Sequence, residues 1–170
     1  MDLKGLIRDV PDFPREGVVF KDITLLLQNP VALKETATAL FELLEGQTID
    51  KVVGMESRGF IFGPMLAERL EAGFVPIRKP GKLPSKVLSE TYELEYGTDT
   101  LEIHIDAINK GDRVLIHDDV LATGGTANAA CKLVEKLGGK IIQCNFLIEL
   151  VFLKGESKIN NYTVKSLLKY

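Results

Sequence analysis

Short apolar runs of strand length recur in this chain with helix-patterned segments between them, and that recurrence restricts the fold more than any other feature. Lys51 to Met55 reads as a buried strand, Phe60 to Leu70 has helical spacing, and Gly73 to Ile77 is a second apolar strand. Farther on, Arg113 to His117 is a strand, Ala127 to Leu137 sets Ala130, Leu133, Val134 and Leu137 on one helical face, and Ile141 to Leu150 is a long apolar strand. Strand–helix–strand units join parallel strands, and a parallel sheet needs helices over both faces. The expected fold is α/β, a central mostly parallel sheet flanked by helices. Upstream, Asn29-Pro30 supplies an N-cap and a first-turn proline. Leu33, Ala37, Leu40, Phe41 and Leu44 then fall at helical spacing before Gly46, so a further helix belongs here.

The 170 residues, 45% hydrophobic and 26% charged, suit one domain, with no linker, repeat or low-complexity tract to divide it. A chain of this size buries about 70% of its unfolded surface. With 21 Lys and Arg against 24 Asp and Glu, the net charge of −3 argues against a globally basic nucleic-acid binder. No apolar run reaches the roughly 18 residues of a membrane span. Met1 to Gly5 lacks the basic-then-apolar pattern of a signal peptide, so a cytoplasmic protein without membrane partners is expected. Cys131 and Cys144 are the only cysteines; they support neither a disulfide framework nor a zinc site and are expected in the core.

Between the strand ending at Ile77 and that beginning at Arg113, Tyr92 to Tyr96 and Leu101 to Ile105 both alternate apolar and polar residues, joined by Gly97 to Thr100. This is an inserted β-hairpin. Residues 82–106 are expected to project over the carboxyl ends of the strands, where ligands bind in open α/β sheets, as a lid.

The chemistry concentrates between Val114 and Thr126, where an apolar strand ends in Asp118 and Asp119 and a small-residue turn then enters a helix. Ala122, Thr123, Gly124, Gly125 and Thr126 let backbone N–H groups approach a phosphate, with two hydroxyls and the helix dipole adding to the attraction. No Gly-Lys-Ser/Thr follows, so the turn is not a Walker loop, and the three-glycine dinucleotide spacing is missing. Asp118 and Asp119 repel a polyphosphate but accept hydrogen bonds from vicinal hydroxyls, which makes a sugar phosphate the natural ligand. Their charge also suits a developing oxocarbenium ion.

This segment resembles the phosphoribosyl-pyrophosphate motif of the phosphoribosyltransferases. Asp12 to Ile23, Gly54 to Phe60, and Ile77 to Lys82 continuing to Leu94-Glu95-Tyr96-Gly97 resemble, in order, the adenine branch of that family. The resemblance implies a single phosphoribosyltransferase-like domain over residues 1–170, with an N-terminal base-binding segment at 1–28. It implies transfer of the 5-phosphoribosyl group from 5-phosphoribosyl 1-pyrophosphate (PRPP) to adenine N9, giving AMP and pyrophosphate in purine salvage. Magnesium would be held mainly by substrate, without direct protein ligands, and the chain would form a homodimer. By the same resemblance, Ala122 to Thr126 hold the 5′-phosphate, and Asp118 and Asp119 serve the ribose and the reaction. Arg58, Arg78, Lys79 and Lys82 meet pyrophosphate, one of the basic residues being open to supply by a dimer partner. Glu95 is the general acid/base, and Val19, Phe20 and Lys21 read adenine. The family also implies a cis bond between Glu56 and Ser57.

Blander readings stand beside these. Arg78 to Lys86 is also a solvated basic loop, Glu95 one polar position on an amphipathic strand, and Phe20 plain packing. Relatives often carry Arg where Lys21 stands, and no mechanism requires His104 or His117. A donor-sensing regulator without transfer, a receiver domain and a 6-oxopurine transferase are the competing functions.

Overall fold

The structure, a computed structural model, describes residues 1–94 and 97–170. Backbone packing divides the chain into two units, Met1–Ala39 and Leu40–Tyr170. In the first, β1 (Arg8–Pro11) pairs antiparallel with β2 (Val19–Asp22), followed by the short α1 (Thr24–Gln28) and the start of α2 (Pro30–Glu42). Just before α1, the Asp22 carboxylate accepts from the Thr24 N–H at 3.0 Å. The Asn29 side chain accepts from the N–H groups of Val31 at 3.0 Å and Ala32 at 3.1 Å, the N-cap the sequence predicted. Gly46, φ +79°, lies in the turn beyond α2. The β1–β2 hairpin and α1 were not expected: their runs are too short for periodicity to register.

The second unit contains β3 (Lys51–Met55), α3 (Gly59–Arg69), β4 (Gly73–Ile77), the hairpin strands β5 (Val87–Glu93) and β6 (Thr98–His104), β7 (Arg113–Leu121), α4 (Gly125–Lys136), β8 (Lys140–Glu149) and β9 (Val164–Lys169). Five of these strands make one parallel sheet in the order β4-β3-β7-β8-β9. Val53, Met55, Val75, Ile77, Val114, Ile116, Cys144 and Phe146 pack with Ala127, Ala130, Cys131, Leu133 and Val134 of α4 into the main core. Alternation turns Leu115 and His117 to the opposite face, where the Phe62 ring of α3 meets the His117 ring edge-on at 6.5 Å. Cys131 and Cys144 are buried as expected, their Sγ atoms 3.7 Å apart as free thiols.

Two expectations change. The hairpin pairs Glu93 with Thr98 through Val87 with His104, so Thr98, Asp99 and Thr100, expected in the connection, belong to β6. Thr91 and Thr100 face each other with hydroxyls 2.8 Å apart, a cross-strand pairing that favours this register. Gly97, φ +84°, supplies the left-handed residue, and its carbonyl accepts from the Leu94 N–H at 2.9 Å. The strand expected to stop at His117 runs to Leu121, because Asp118, Val120 and Leu121 pair with Phe146, Ile148 and Glu149 of β8. The carboxy-terminal strand β9 was not expected at all. Within the hairpin, Leu101 and Ile103 of β6 are fully buried in the core, and Glu102 exchanges backbone hydrogen bonds with Arg78 just past β4.

Candidate active site

From β3 the chain moves outward to β4, then returns to lay β7 on the other side of β3, so the direction of winding reverses between β3 and β7. Crevices open at the carboxyl ends of strands where such a reversal occurs. The loop after β3 carries Arg58, the loop after β4 carries Arg78, Lys79 and Lys82, and the end of β7 carries Asp118, Asp119 and the small-residue turn. Sheet order alone gathers these sequence-distant segments at one edge.

The turn lines a cavity of about 70 Å³ with Asp118, Ala122, Thr123, Gly124, Gly125 and Thr126. Gly124, φ +80°, precedes α4 in the left-handed region, and the first N–H groups of a helix have no partner within it. A Cβ on Gly124 would collide with the Gly155 carbonyl oxygen, and a Cβ on Gly155 would collide with that of Ala122 and come within 2.9 Å of the Gly124 nitrogen. The loop after β8 thus braces the turn backbone to backbone. The sequence around Gly155 gives no sign of this contact, because its partners Gly124 and Ala122 lie 31 and 33 residues upstream. Gly125 leaves room for Tyr92, whose Cδ2 would stand 3.2 Å from an added Cβ, and the Tyr92 hydroxyl lies 3.1 Å from Thr126 Oγ1.

Asp118 and Asp119 sit on a paired strand, with the Asp119 N–H donating to Asp118 Oδ1 at 2.9 Å. Asp118 keeps some exposed surface, yet burial, and then the neighbouring Asp119, push its carboxyl well above the usual range. Burial raises Asp119 too, against the pull of Arg58, whose Nε is 2.6 Å from Asp119 Oδ2. Gly59 opens α3 so near that an added Cβ would fall 3.1 Å from Asp118 Oδ1.

The peptide bond between Glu56 and Ser57 is cis, as the resemblance implied. Glu56, which sequence reasoning had noted only for that bond, organises the basic loop. Its carboxylate accepts from the Lys79 N–H at 2.9 Å, pairs with Lys82, and lies 3.4 Å from Arg78 Nε. Burial pushes Glu56 up, but these donors outweigh it and hold the carboxyl below its ordinary value. Lys79 pairs with Asp99 of β6. The four expected cations therefore each face an acid of this chain. A line of alternating charges in the sequence cannot reveal such pairings across separate elements.

His117 is fully buried, its Nδ1 2.8 Å from Asn145 Oδ1. Asn145 Nδ2 donates to the Leu40 carbonyl at 3.3 Å, leaving Oδ1 to accept from His117. Burial lowers the imidazole to about 4, so it is neutral at pH 7, and no hydrogen bond reaches its Nε2.

Of the residues expected to read adenine, Val19 is exposed, the Phe20 ring meets Phe13 edge-on at 5.2 Å, and Lys21 Nζ pairs with Asp9 Oδ1 at 2.6 Å. Glu95 lies outside the described residues. Among the described residues no three His, Cys, Asp or Glu side chains gather as a metal cluster, and no helix is long and apolar enough to cross a membrane.

The parallel sheet with a small-residue turn and paired acids at its winding reversal is accompanied by a family match: the profile of the phosphoribosyl transferase domain matches residues 22–168. The chain belongs to this family. Within it, the chain is 64% identical over 170 residues to the adenine phosphoribosyltransferase of Flavobacterium johnsoniae, covering all of both. The crystal structure of adenine phosphoribosyltransferase from Thermoanaerobacter pseudethanolicus is 53% identical, with a TM-score of 0.98 over 99% of this chain and 98% of that one. The Saccharomyces cerevisiae adenine phosphoribosyltransferase, solved with an imino-altritol bisphosphate and adenine, is 46% identical, with a TM-score of 0.92 over 98% and 96%.

Proposed function

We infer that this chain is an adenine phosphoribosyltransferase: it joins adenine N9 to C1′ of PRPP while the bond from C1′ to pyrophosphate breaks, giving AMP and pyrophosphate. The observation that carries this reading is the braced turn beside Asp118 and Asp119 at the winding reversal, in a chain matched along its whole length by adenine phosphoribosyltransferases.

In this reading Ala122, Thr123, Gly124, Gly125 and Thr126 hold the 5′-phosphate through backbone N–H groups and two hydroxyls. Asp118 and Asp119 take the ribose hydroxyls and face positive charge as it develops at C1′. Their place at the carboxyl end of β7, beside the turn and with Asp119 against Arg58, supports the role. Arg58, Arg78, Lys79 and Lys82 receive the pyrophosphate, exchanging their present acids for phosphate oxygens. Glu95 receives the proton that adenine N9 gives up, and returns it in the reverse direction. Val19, Phe20 and Lys21 read the base, in a base-binding segment at residues 1–28 of one catalytic domain. Residues 82–106 act as a lid, a role supported by the reach of Tyr92 to Thr126. Magnesium bound with the donor would supply positive charge against the pyrophosphate oxygens. The hard carboxylate oxygens of Asp118 and Asp119 beside the turn suit an ion that would be carried mainly by substrate and water. The working form is a cytoplasmic homodimer.

The test offers the purified chain magnesium, PRPP and, in parallel, adenine, hypoxanthine, guanine or xanthine. AMP and pyrophosphate should appear with adenine. Turnover of a 6-oxopurine without adenine would refute the assignment, and PRPP binding without transfer to any base would favour the sensor.

A further inference from the structure

Among the acids that hold the basic loop, Asp99 differs in kind from Glu56. Glu56 keeps 11% of its side-chain surface exposed, belongs to the loop after β3, and is tied to the main chain of Lys79 as well as to Lys82 and Arg78, so it anchors the loop as a whole. Asp99 lies across on β6 and meets only the end of the Lys79 side chain. Both partners keep about a third of their side-chain surface in solvent, at 36% for Lys79 and 30% for Asp99. The Lys79 ammonium can therefore turn away while its backbone stays fixed on Glu56.

Asp99 is equipped to be left behind. Its Oδ1 accepts from the Thr100 N–H at 2.8 Å, and its Oδ2 accepts from the hydroxyl of Tyr92, the residue directly opposite on β5, at 3.2 Å. Two donors remain on the carboxylate after the ammonium departs. The same Tyr92 hydroxyl lies 3.1 Å from Thr126 Oγ1, so the carboxylate is linked to the phosphate turn by one side chain. Burial alone would raise Asp99 and lower Lys79, but their mutual pairing and the Tyr92 contact reverse both shifts, keeping the pair charged.

We propose that Asp99 is an internal counter-ion that Lys79 exchanges for the pyrophosphate of the donor, and that Tyr92 is the positioning residue that keeps Asp99 hydrogen-bonded when the exchange occurs. The proposal rests on the reading of Lys79 as a pyrophosphate ligand given above. It makes two predictions of opposite sign. Asp99→Asn removes the competing charge, so pyrophosphate should bind more tightly. Tyr92→Phe removes a donor that the abandoned carboxylate needs, so Asp99 holds Lys79 harder and pyrophosphate should bind more weakly.

The experiment titrates magnesium pyrophosphate into the wild-type chain and both variants by calorimetry, with ribose 5-phosphate as the probe for the other end of the site. Thermal melting and circular dichroism check that each variant is folded. Asp99→Asn should lower the pyrophosphate Kd by about threefold to tenfold, the scale of a partly exposed ion pair, and leave the ribose 5-phosphate Kd within about twofold. Tyr92→Phe should raise the pyrophosphate Kd by about threefold. A folded Asp99→Asn chain that binds pyrophosphate no better than wild type overturns the counter-ion, and a Tyr92→Phe chain with unchanged affinity overturns the positioning role. Wild-type protein that binds neither probe would overturn the reading of the site, and this proposal with it.

Discussion

His117 and Asp118 are adjacent on β7, point to opposite faces and oppose each other in their dependence on pH. The imidazole titrates at about 4 in the folded chain against 6.5 ordinarily, so between these values the unfolded chain holds a proton that the folded chain lacks. The stability this confers is complete above pH 6.5 and is lost as pH falls toward 4, about 2 kcal/mol of it by pH 5. Asp118, raised above 3.8, has the reverse sign: its contribution is present at low pH and is lost as pH rises through its folded value. His117→Leu should be less stable at pH 7, because Asn145 Oδ1 loses its donor. Its urea-unfolding free energy should nevertheless fall about 2 kcal/mol less than that of wild type between pH 7 and pH 5. Identical pH dependence in the two proteins would remove His117 from the titration. None of this is visible in a lone histidine before two aspartates, since the shift comes from burial beneath Phe62 and within the surrounding sheet, which outweighs the opposing hydrogen bond to Asn145.

At the level of elements, what could be read locally and what could not divide by the distance of the partner. β3 and β4 match the predicted strands residue for residue, and α2 starts at the expected Asn29 cap, because apolar runs and capping residues carry their signal within a few positions. The turn from Ala122 to Thr126 was legible for the same reason. The hairpin register was not, because alternation marks two strands without saying which residues face each other. β9 escaped because Val164 to Lys169 is only half buried and mixes lysine with leucine. The bracing of the turn by Gly155 is likewise a contact between segments far apart in sequence. It yields a sharp expectation, since the clash at Gly155 is with backbone rather than a yielding side chain. Gly155→Ala should displace Ala122 and Gly124, raising KM for PRPP on the order of tenfold while KM for adenine moves little, at a stability cost of about 1–3 kcal/mol. Steady-state kinetics with each substrate varied would show this, and an unchanged KM for PRPP would make the contact incidental to phosphate binding.

Across the whole molecule, the net charge of −3 averages over segregated fields. Arg78, Lys79 and Lys82 of the basic loop lie against Glu56 and Asp99, and Arg58 lies against Asp119, so these cations are offset by acids of the same chain. Composition reports the sum and conceals the pairing. The proposed homodimer is checked by sedimentation equilibrium, which should give twice the mass of the chain across a dilution series; a single chain mass throughout would exclude it. The bracing by Gly155 also sets an order of events during synthesis. Asp118, Asp119 and the turn leave the ribosome well before β8, the strand that flanks them, and before the loop that supports the turn. A nascent chain halted short of residue 155 would carry every acid and every glycine of the turn and still lack its support, so the braced form of the turn belongs to a late stage of chain completion.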